Sequence, residues 1–234
     1  MVKSRVWAFW FFSFVVFLVS ALLISILSFL GVYYYQSLEY YFHEGYLGTL
    51  YPVSLLAISS LSCFLFHLRE TSSLTFIFKH PLSQKNTWLW CGFAFAYLSL
   101  DDLFEIHEKI DFKLHHWLDA LAKIKSNAVT DKLDDLIVAI VLAVAVWFLL
   151  RYRKTFATYP IMQISYALAC FLVLLMVCLD FLTNGGTILK LILGRALYSD
   201  LKSFLFVIEE SLKIFACSFL VVGSFAPWLG KRHA

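Results

Sequence analysis

The chain has 234 residues, of which 61% are hydrophobic, and its mean hydropathy is +0.79. A soluble domain is about half apolar, so this excess, which comes in long runs, excludes an ordinary soluble domain and predicts an all-α polytopic membrane protein. The formal net charge is only +3 and no basic block is present, so nucleic acid is not an expected partner.

Six apolar runs predict six transmembrane helices, since about 20 apolar residues are needed to cross a bilayer. The first run is much longer than the apolar part of a signal peptide, which has about 7–15 residues, and we interpret it as an uncleaved first span. No internal repeat or flexible linker is visible, so residues 1–234 are expected to form one integral membrane domain. The expected spans, in chain order, are residues 6–33, 51–68, 88–110, 133–152, 160–182 and 201–222.

The basic residues of the short loops predict the orientation of the bundle, because cytoplasmic loops carry an excess of Lys and Arg. With six spans, most of these residues fall on one side, and both termini are therefore expected to be cytoplasmic. The first outer loop has no Lys or Arg, but the other two outer loops carry lysines, so the bias is incomplete. The basic residues on the cytoplasmic side are Lys3, Arg5, Arg69, Lys79, Lys85, Arg151, Arg153, Lys154, Lys231 and Arg232.

The acidic residues gather at the opposite side, where several interrupt spans. Of 16 Asp and Glu, only Glu70 falls on the predicted cytoplasmic side. From Trp88 to Leu100 a helix rises only about 20 Å, less than the apolar core of about 30 Å, so the third span must continue through Asp101 and Asp102. In the sixth span, Glu209 and Glu210 lie roughly 12 Å below the same face.

Two further spans bring acids to a similar depth, with Asp180 near the end of the fifth and Asp134 and Asp135 at the start of the fourth. A charge in the middle of a membrane costs about 2.5–3.5 kcal/mol on insertion scales. These carboxyl groups must therefore be neutralised by protonation, by Lys or His partners, or by a bound cation. We predict that they converge in a shared site just beneath the outer face.

The segment Leu100–Ile124 predicts a long amphipathic helix whose polar face could hold a metal ion. Carboxylates mixed with imidazole suit zinc, manganese or iron, and residues three or four apart project together from a helix. The Glu-x-x-His pair of ferritin-like sites is absent, and His107 falls towards the apolar stripe. The expected metal ligands are Asp101, Glu108, His115 and Asp180, and the expected catalytic residues are Glu105, His107 and Glu210.

Several of these groups also have simpler structural explanations. Glu105–Lys109 and Glu209–Lys213 are favourable ion pairs at i,i+4. Acidic residues at the start of the fourth span are typical of a helix N-terminus, and His115, His116 and Asp119 could form a solvated face. Glu39 and His43, in the first outer loop, lie among tyrosines that are typical of an interfacial aromatic belt.

The cysteines do not predict a disulfide framework or a zinc finger. All five fall inside apolar runs and none forms a Cys-x-x-Cys pair. We interpret them as buried thiols that behave as small apolar residues.

Two segments carry a resemblance to known sequences. SLDDLFEIHEKI (Ser99–Ile110) together with IEESLKIF (Ile208–Phe215) resembles a broad set of uncharacterised bacterial multi-pass inner-membrane proteins. Those proteins tend to carry an acid pair and a His-Glu on one span and a Glu pair on a later span, although Asp102 stands here where Glu is expected. The resemblance implies a bacterial inner-membrane protein of the same architecture and no particular activity.

Three functions fit this pattern, and the sequence favours the first of them. The first is a metal-dependent membrane enzyme, such as a hydrolase, that acts on a lipid or lipid-linked substrate. The second is a proton- or cation-coupled transporter, against which stands the near absence of ionisable groups, His67 apart, from the inner half of every span. The third is a structural or accessory subunit whose charges only pair helices. The sequence leaves the substrate and the oligomeric state open.

Overall fold

A computed structural model of the chain describes residues 2–43, 46–70, 83, 86–106, 109–110, 113, 133–183 and 195–229. Within these ranges the regular structure is helical and contains no strand, which confirms the all-α prediction. A short 3-10 turn, Tyr40–Phe42, follows the first helix. The α-helices are α1 (Val2–Tyr35), α2 (Leu47–Glu70), α3 (Thr87–Phe104), α4 (Leu133–Arg151), α5 (Arg153–Ala157), α6 (Pro160–Thr183) and α7 (Arg195–Leu229).

Three segments are long and apolar enough to cross a membrane: Trp7–Tyr35 in α1, Tyr40–Glu70 around α2 and Pro160–Asp180 in α6. A shorter apolar helix, Ala139–Arg151, lies in α4. The outer surface of α1 is apolar as well, with Trp7 75% and Phe11 69% exposed. Large apolar side chains exposed along a whole helix are expected where lipid covers the surface.

Helix α7 lies at the centre of the bundle. It packs against α6, α2 and α1, whereas α3 packs mainly on α2 and α4 packs on α6. The charged residues of α7 differ in exposure, since Lys202 near its start is exposed whereas Glu210 and Lys213 near its middle are half-buried.

Contacts between side chains fix the directions of the helices. The Phe12 and Phe225 rings are 5.1 Å apart, and the Ser20 and Ser218 hydroxyls are 2.8 Å apart, so α1 and α7 are antiparallel. We call the end of the bundle that holds Phe12 and Phe225 the inner end, after the predicted orientation. The opposite end, where α1 terminates at Tyr35, is the outer end.

The apolar core is divided between these two ends. The larger cluster joins aromatic residues of several helices near the inner end, where the Phe66 and Trp88 rings are 4.7 Å apart. A smaller cluster near the outer end contains Leu27, Phe42 and Ile214. The outer cluster lies close to the acidic residues, so its position in the bundle shows how deep the candidate site lies.

The predicted spans agree with the observed helices except at two places. Helix α7 begins before residue 201 and ends after residue 222. Helix α3 ends at Phe104, and Glu105 adopts the left-handed conformation, with φ 51° and its N–H donating to the Asp101 carbonyl.

The span predicted over 88–110 is therefore interrupted at Glu105, and most of the helix predicted over Leu100–Ile124 lies beyond this point, outside the described residues. A left-handed residue satisfies a free carbonyl at the helix end while it turns the chain. Helical bonding resumes at once, because the Lys109 N–H donates to the Glu105 carbonyl at 3.0 Å.

Candidate functional site

A short polar contact between charged side chains joins α3 to α7 inside the bundle. The Lys213 Nζ lies 2.7 Å from the Asp102 Oδ1, and the two side chains are 24% and 15% exposed. This is the distance of a charge-assisted hydrogen bond, which is about twice as strong as a neutral one. The prediction that a Lys partner would neutralise a carboxyl group of this region is confirmed for Asp102.

The depth of this pair follows from its neighbour on α7. Ile214 is fully buried in the same small cluster as Leu27, and Leu27 precedes the outer end of α1 at Tyr35 by eight residues. Since a helix rises about 1.5 Å per residue, the pair lies about 12 Å below the outer end of α1. Two charges at this depth need each other, because either one alone would pay a desolvation penalty of several kcal/mol.

A second carboxylate acts on the same lysine. Glu210 precedes Lys213 by one helical turn on α7, and its charge and that of Asp102 both act on the ammonium. Two carboxyl groups and one ammonium therefore lie together in a mostly buried place. We call Asp102, Glu210 and Lys213 the outer charged site.

The other predicted site residues fall at different positions. Asp101 is half-buried beside Asp102, and Asp180 is half-buried on α6. Glu105, at the end of α3, is 39% exposed and pairs with the more exposed Lys109 at 3.8 Å. His107, Glu108 and His115 lie outside the described residues.

The structure thus brings together only part of the predicted set. Glu210 is the one expected site residue that lies in the outer charged site of the described structure. Asp102, which shares this site, was not an expected site residue. In the described part of the chain no three His, Cys, Asp or Glu side chains form a group that could hold a metal ion. The metal ligands predicted at Asp101, Glu108, His115 and Asp180 stay a prediction, because two of them are among the residues not described.

Sequence reasoning named neither Lys213 nor Asp102 as a site residue, although a signal for both was present. Lys213 is the only basic residue between Lys202 and Lys231, and a lone ammonium in an apolar run is as costly as a lone carboxylate. The argument applied to the acids therefore also required an acidic partner for Lys213.

A second polar network lies in the inner half of the bundle. The Tyr166 hydroxyl is 3.0 Å from the Ser224 hydroxyl, and the Cys63 thiol donates to the same Ser224 oxygen at 3.7 Å. The Trp228 Nε1 donates to the Ser62 hydroxyl at 3.0 Å, which in turn donates to the Ser224 carbonyl at 3.1 Å. We call these five residues the inner polar network.

The close approach of α6 and α7 depends on Gly223. A Cβ at this position would lie 2.4 Å from the Tyr166 ring, which is closer than any real contact. The missing side chain therefore lets the Tyr166 ring lie against α7 and its hydroxyl reach Ser224. Small residues at helix contacts permit this kind of packing in membranes.

Polar groups also lie between the two sites. Ser20, Tyr51 and Ser218 form a small hydroxyl cluster, with Ser20 2.8 Å from Ser218 and 3.1 Å from Tyr51. Along α7, residues at i, i+4, i+11 and i+15 share one face, which makes a polar stripe from the outer charged site towards the inner end. The residues of this α7 stripe are Lys213, Cys217, Ser224 and Trp228.

The inner half is therefore more polar than the sequence indicated. His67, Asn86 and Thr87 are each at most 1% exposed near the inner end. Counting only ionisable side chains missed the hydroxyl, thiol and indole groups, which become neighbours only when α2, α6 and α7 pack together.

These features define a class of helical bundle built to cross a membrane, with a buried charged site on its central helix. The chain belongs to the family described as a domain of unknown function, DUF8692, which matches residues 15–226 and so includes both polar sites except Trp228. No curated protein and no solved structure matches the chain.

Proposed function

We propose that the protein is a six-span carrier of the bacterial inner membrane, with both termini cytoplasmic, that moves a cation in exchange for protons. The outer charged site is the coupling site in this proposal. Its central observation is the Asp102–Lys213 contact of 2.7 Å with Glu210 one turn away.

The charge of the site supports a cationic cargo. The site brings two carboxyl groups beside one ammonium, and a carboxyl group can bind either a proton or a small cation. Ionisable groups inside a membrane are costly and typically belong to ion or proton pathways. Competition between the proton and the cation for the same carboxylate is the simplest way to couple their movements.

The position of α7 supports a route through the bundle. The α7 stripe continues from Lys213 to Trp228, and the inner polar network lies along it. Buried hydroxyl and indole groups can hold water or relay a proton where a purely apolar core could not.

The test is cation–proton exchange in proteoliposomes loaded with a pH-sensitive dye and exposed to gradients of Na⁺, K⁺ or Mg²⁺. The wild-type protein is expected to change the internal pH with at least one cation, and Glu210→Gln is expected to abolish this signal. Glu70→Gln, which removes an exposed carboxylate at the inner end of α2, is the matched control and should keep the signal.

Two results would contradict the carrier. The first is wild-type protein that gives no exchange with any of these cations. The second is Glu210→Gln or Lys213→Met protein that exchanges at the wild-type rate. Loss of folding alone in Glu210→Gln would instead favour a structural or accessory subunit, in which the charges only hold helices together.

A metal-dependent membrane enzyme is the second candidate, and the backbone at Glu105 favours it. A non-glycine residue in the left-handed region costs about 1–2 kcal/mol, and such strained residues concentrate at functional sites. Glu105 is half-exposed near the outer end and follows Asp101 by one turn. A zinc, manganese or iron ion held by this end of α3 and its continuation could activate water for attack on a lipid or lipid-linked substrate.

Metal analysis of the detergent-purified protein tests this candidate. The enzyme proposal expects a stoichiometric metal in the wild type and a clear loss in Glu108→Gln and Glu105→Gln. Protein that stays folded without metal, and that binds no added zinc, manganese or iron, would overturn the enzyme and leave the carrier untouched.

A further inference from the structure

A cationic concavity lies at the inner end of α4, where α4 turns into α5. It has a volume of about 340 Å³ and is lined by Leu150, Arg151, Arg153 and Lys154. The three basic side chains are exposed. The concavity lies at the inner end of the bundle, far from the outer charged site. The proposed carrier mechanism does not use it.

The turn that presents these cations is well anchored. Tyr152 and Phe156, which lie between and after the basic residues, are each 1% exposed. The Tyr152 N–H donates to the Phe148 carbonyl at 3.0 Å, and the Thr155 N–H donates to the Tyr152 carbonyl at 2.9 Å. A hydrogen-bonded turn with buried aromatic anchors holds the basic groups near fixed positions, which lowers the ordering cost of binding a ligand.

The surrounding sequence leaves these cations without acidic neighbours along the chain. The nearest acids are Asp135 on one side and Asp180 on the other, and both belong to the opposite ends of α4 and α6. Guanidinium groups match the geometry of phosphate oxygens and can bind them through two hydrogen bonds. The chemistry of the concavity therefore favours a phosphate-bearing anion.

An exposed apolar stripe leads directly to the concavity. Ile140, Val144 and Trp147 are 55%, 57% and 55% exposed, and they share one face of α4 with Arg151, because the spacing is i, i+4, i+7 and i+11. Leu150, which is 65% exposed, lies in the wall of the concavity itself. Phosphate-binding groups at the top of a lipid-facing stripe match the two parts of a phospholipid.

We propose that this surface binds an anionic phospholipid, with its phosphate held by Arg151, Arg153 and Lys154 and an acyl chain along Ile140, Val144 and Trp147. Basic residues on this side of the membrane also set the orientation of the protein. That role needs only positive charge and would be served equally well by any basic residues. A phospholipid site makes the stronger claim that guanidinium groups and the α4 stripe act together on one molecule.

The test uses quenching of Trp147 fluorescence by brominated lipids in detergent micelles, with Trp147→Phe subtracted to isolate its signal from the other tryptophans. Brominated phosphatidylglycerol is expected to quench at a lower mole fraction than brominated phosphatidylcholine. Each basic residue changed to Gln should weaken the binding of phosphatidylglycerol about fivefold. The triple variant Arg151→Gln/Arg153→Gln/Lys154→Gln should no longer distinguish the two lipids.

Three controls separate the alternatives. Arg69→Gln removes an exposed cation at the inner end of α2 and should keep the preference for phosphatidylglycerol, whereas equal loss in this variant would show only a general charge effect. Arg151→Lys/Arg153→Lys keeps the charge and should bind more weakly than the wild type. If inorganic phosphate at millimolar concentration displaces the lipid completely, or if the wild type shows no preference, the phospholipid proposal is overturned.

Discussion

At the residue scale, Lys213 and Asp102 form an ion pair inside the bundle. The ammonium and the carboxylate are 2.7 Å apart and mostly buried. A buried pair need not stabilise the fold more than apolar residues of similar size would, but removal of one partner leaves an uncompensated charge. The same two residues are therefore expected to matter in different ways when they are changed singly and together.

Lys213→Met is expected to lower the free energy of unfolding by about 3–5 kcal/mol, because Asp102 is left buried without its partner. The double variant Asp102→Leu/Lys213→Met should recover part of this loss, since it leaves one carboxyl group, Glu210, in the outer charged site where Lys213→Met leaves two. Denaturant unfolding in mixed micelles measures both effects.

Lys109→Met provides the matched control for this cycle. Lys109 pairs with Glu105 at 3.8 Å on the surface, and exposed pairs contribute less than about 1 kcal/mol. A Lys213→Met variant no less stable than Lys109→Met, or a double variant less stable than Lys213→Met, would show that the contact is not a buried ion pair.

The second prediction concerns the backbone at Glu105. Whether Glu105→Gly or Glu105→Ala is the more stable variant shows which conformation this residue adopts. At a left-handed position Glu105→Gly should be more stable than Glu105→Ala by about 1 kcal/mol, because only alanine keeps the steric cost of a Cβ. Within a continuous helix the order would reverse by about 1 kcal/mol. Both variants remove the carboxylate, so thermal unfolding of the two compares only the backbone.

At the element scale, α7 combines the roles of packing element and site. Its length of 35 residues lets it carry the outer charged site near its middle and the inner polar network near its end. Gly223 makes the second role possible by letting Tyr166 of α6 lie against it. The contact between Tyr166 and Ser224 of α7 therefore depends on the absence of a side chain at Gly223.

Gly223→Ala is expected to destabilise the protein by about 1–3 kcal/mol, the usual cost of forcing extra atoms into a packed core. In a Tyr166→Ala background the same change should cost much less, because the ring that the new Cβ would strike is gone. Tyr166→Phe should cost about 1 kcal/mol through the lost hydroxyl contacts alone. An equal cost of Gly223→Ala in both backgrounds would show that Tyr166 is not the group that excludes a Cβ.

The sequence predicted the elements well and the site only partly, for physical reasons. Apolar runs report helices directly, so the predicted starts at residues 133 and 160 agree with α4 and α6. The break at Glu105 carries no local signal, because glycine or proline would be expected there and neither is present. The partner of Lys213 could not be found from spacing on α7 alone, since Asp102 lies on another helix.

At the scale of the whole molecule, the helices alternate in direction around α7. Ser60 donates to the Gly92 carbonyl at 2.8 Å and Ser99 donates to the Val53 carbonyl at 3.0 Å, so α2 and α3 are antiparallel, as α1 and α7 are. The beginning of α1 and the end of α7 therefore meet at the inner end. This arrangement is compatible with the six-span orientation that the basic loops predict, and it makes that orientation testable.

Single cysteines placed at the two ends of the bundle test the orientation in a background with the native cysteines replaced by alanine. Gln36 follows α1, Arg69 lies in the last turn of α2, and Thr158 follows α5; all three are exposed. In right-side-out vesicles a membrane-impermeant maleimide should label Gln36→Cys at once, and should label Arg69→Cys and Thr158→Cys only after permeabilisation. One predicted span separates Gln36 from Arg69 and three separate Gln36 from Thr158, so Gln36 must lie on the opposite side from both. The bias of lysine and arginine places Arg69 and Thr158 in the cytoplasm. Immediate labelling of Gln36→Cys and Thr158→Cys from the same side would require an even number of spans between them and would refute the six-span topology on which the carrier depends.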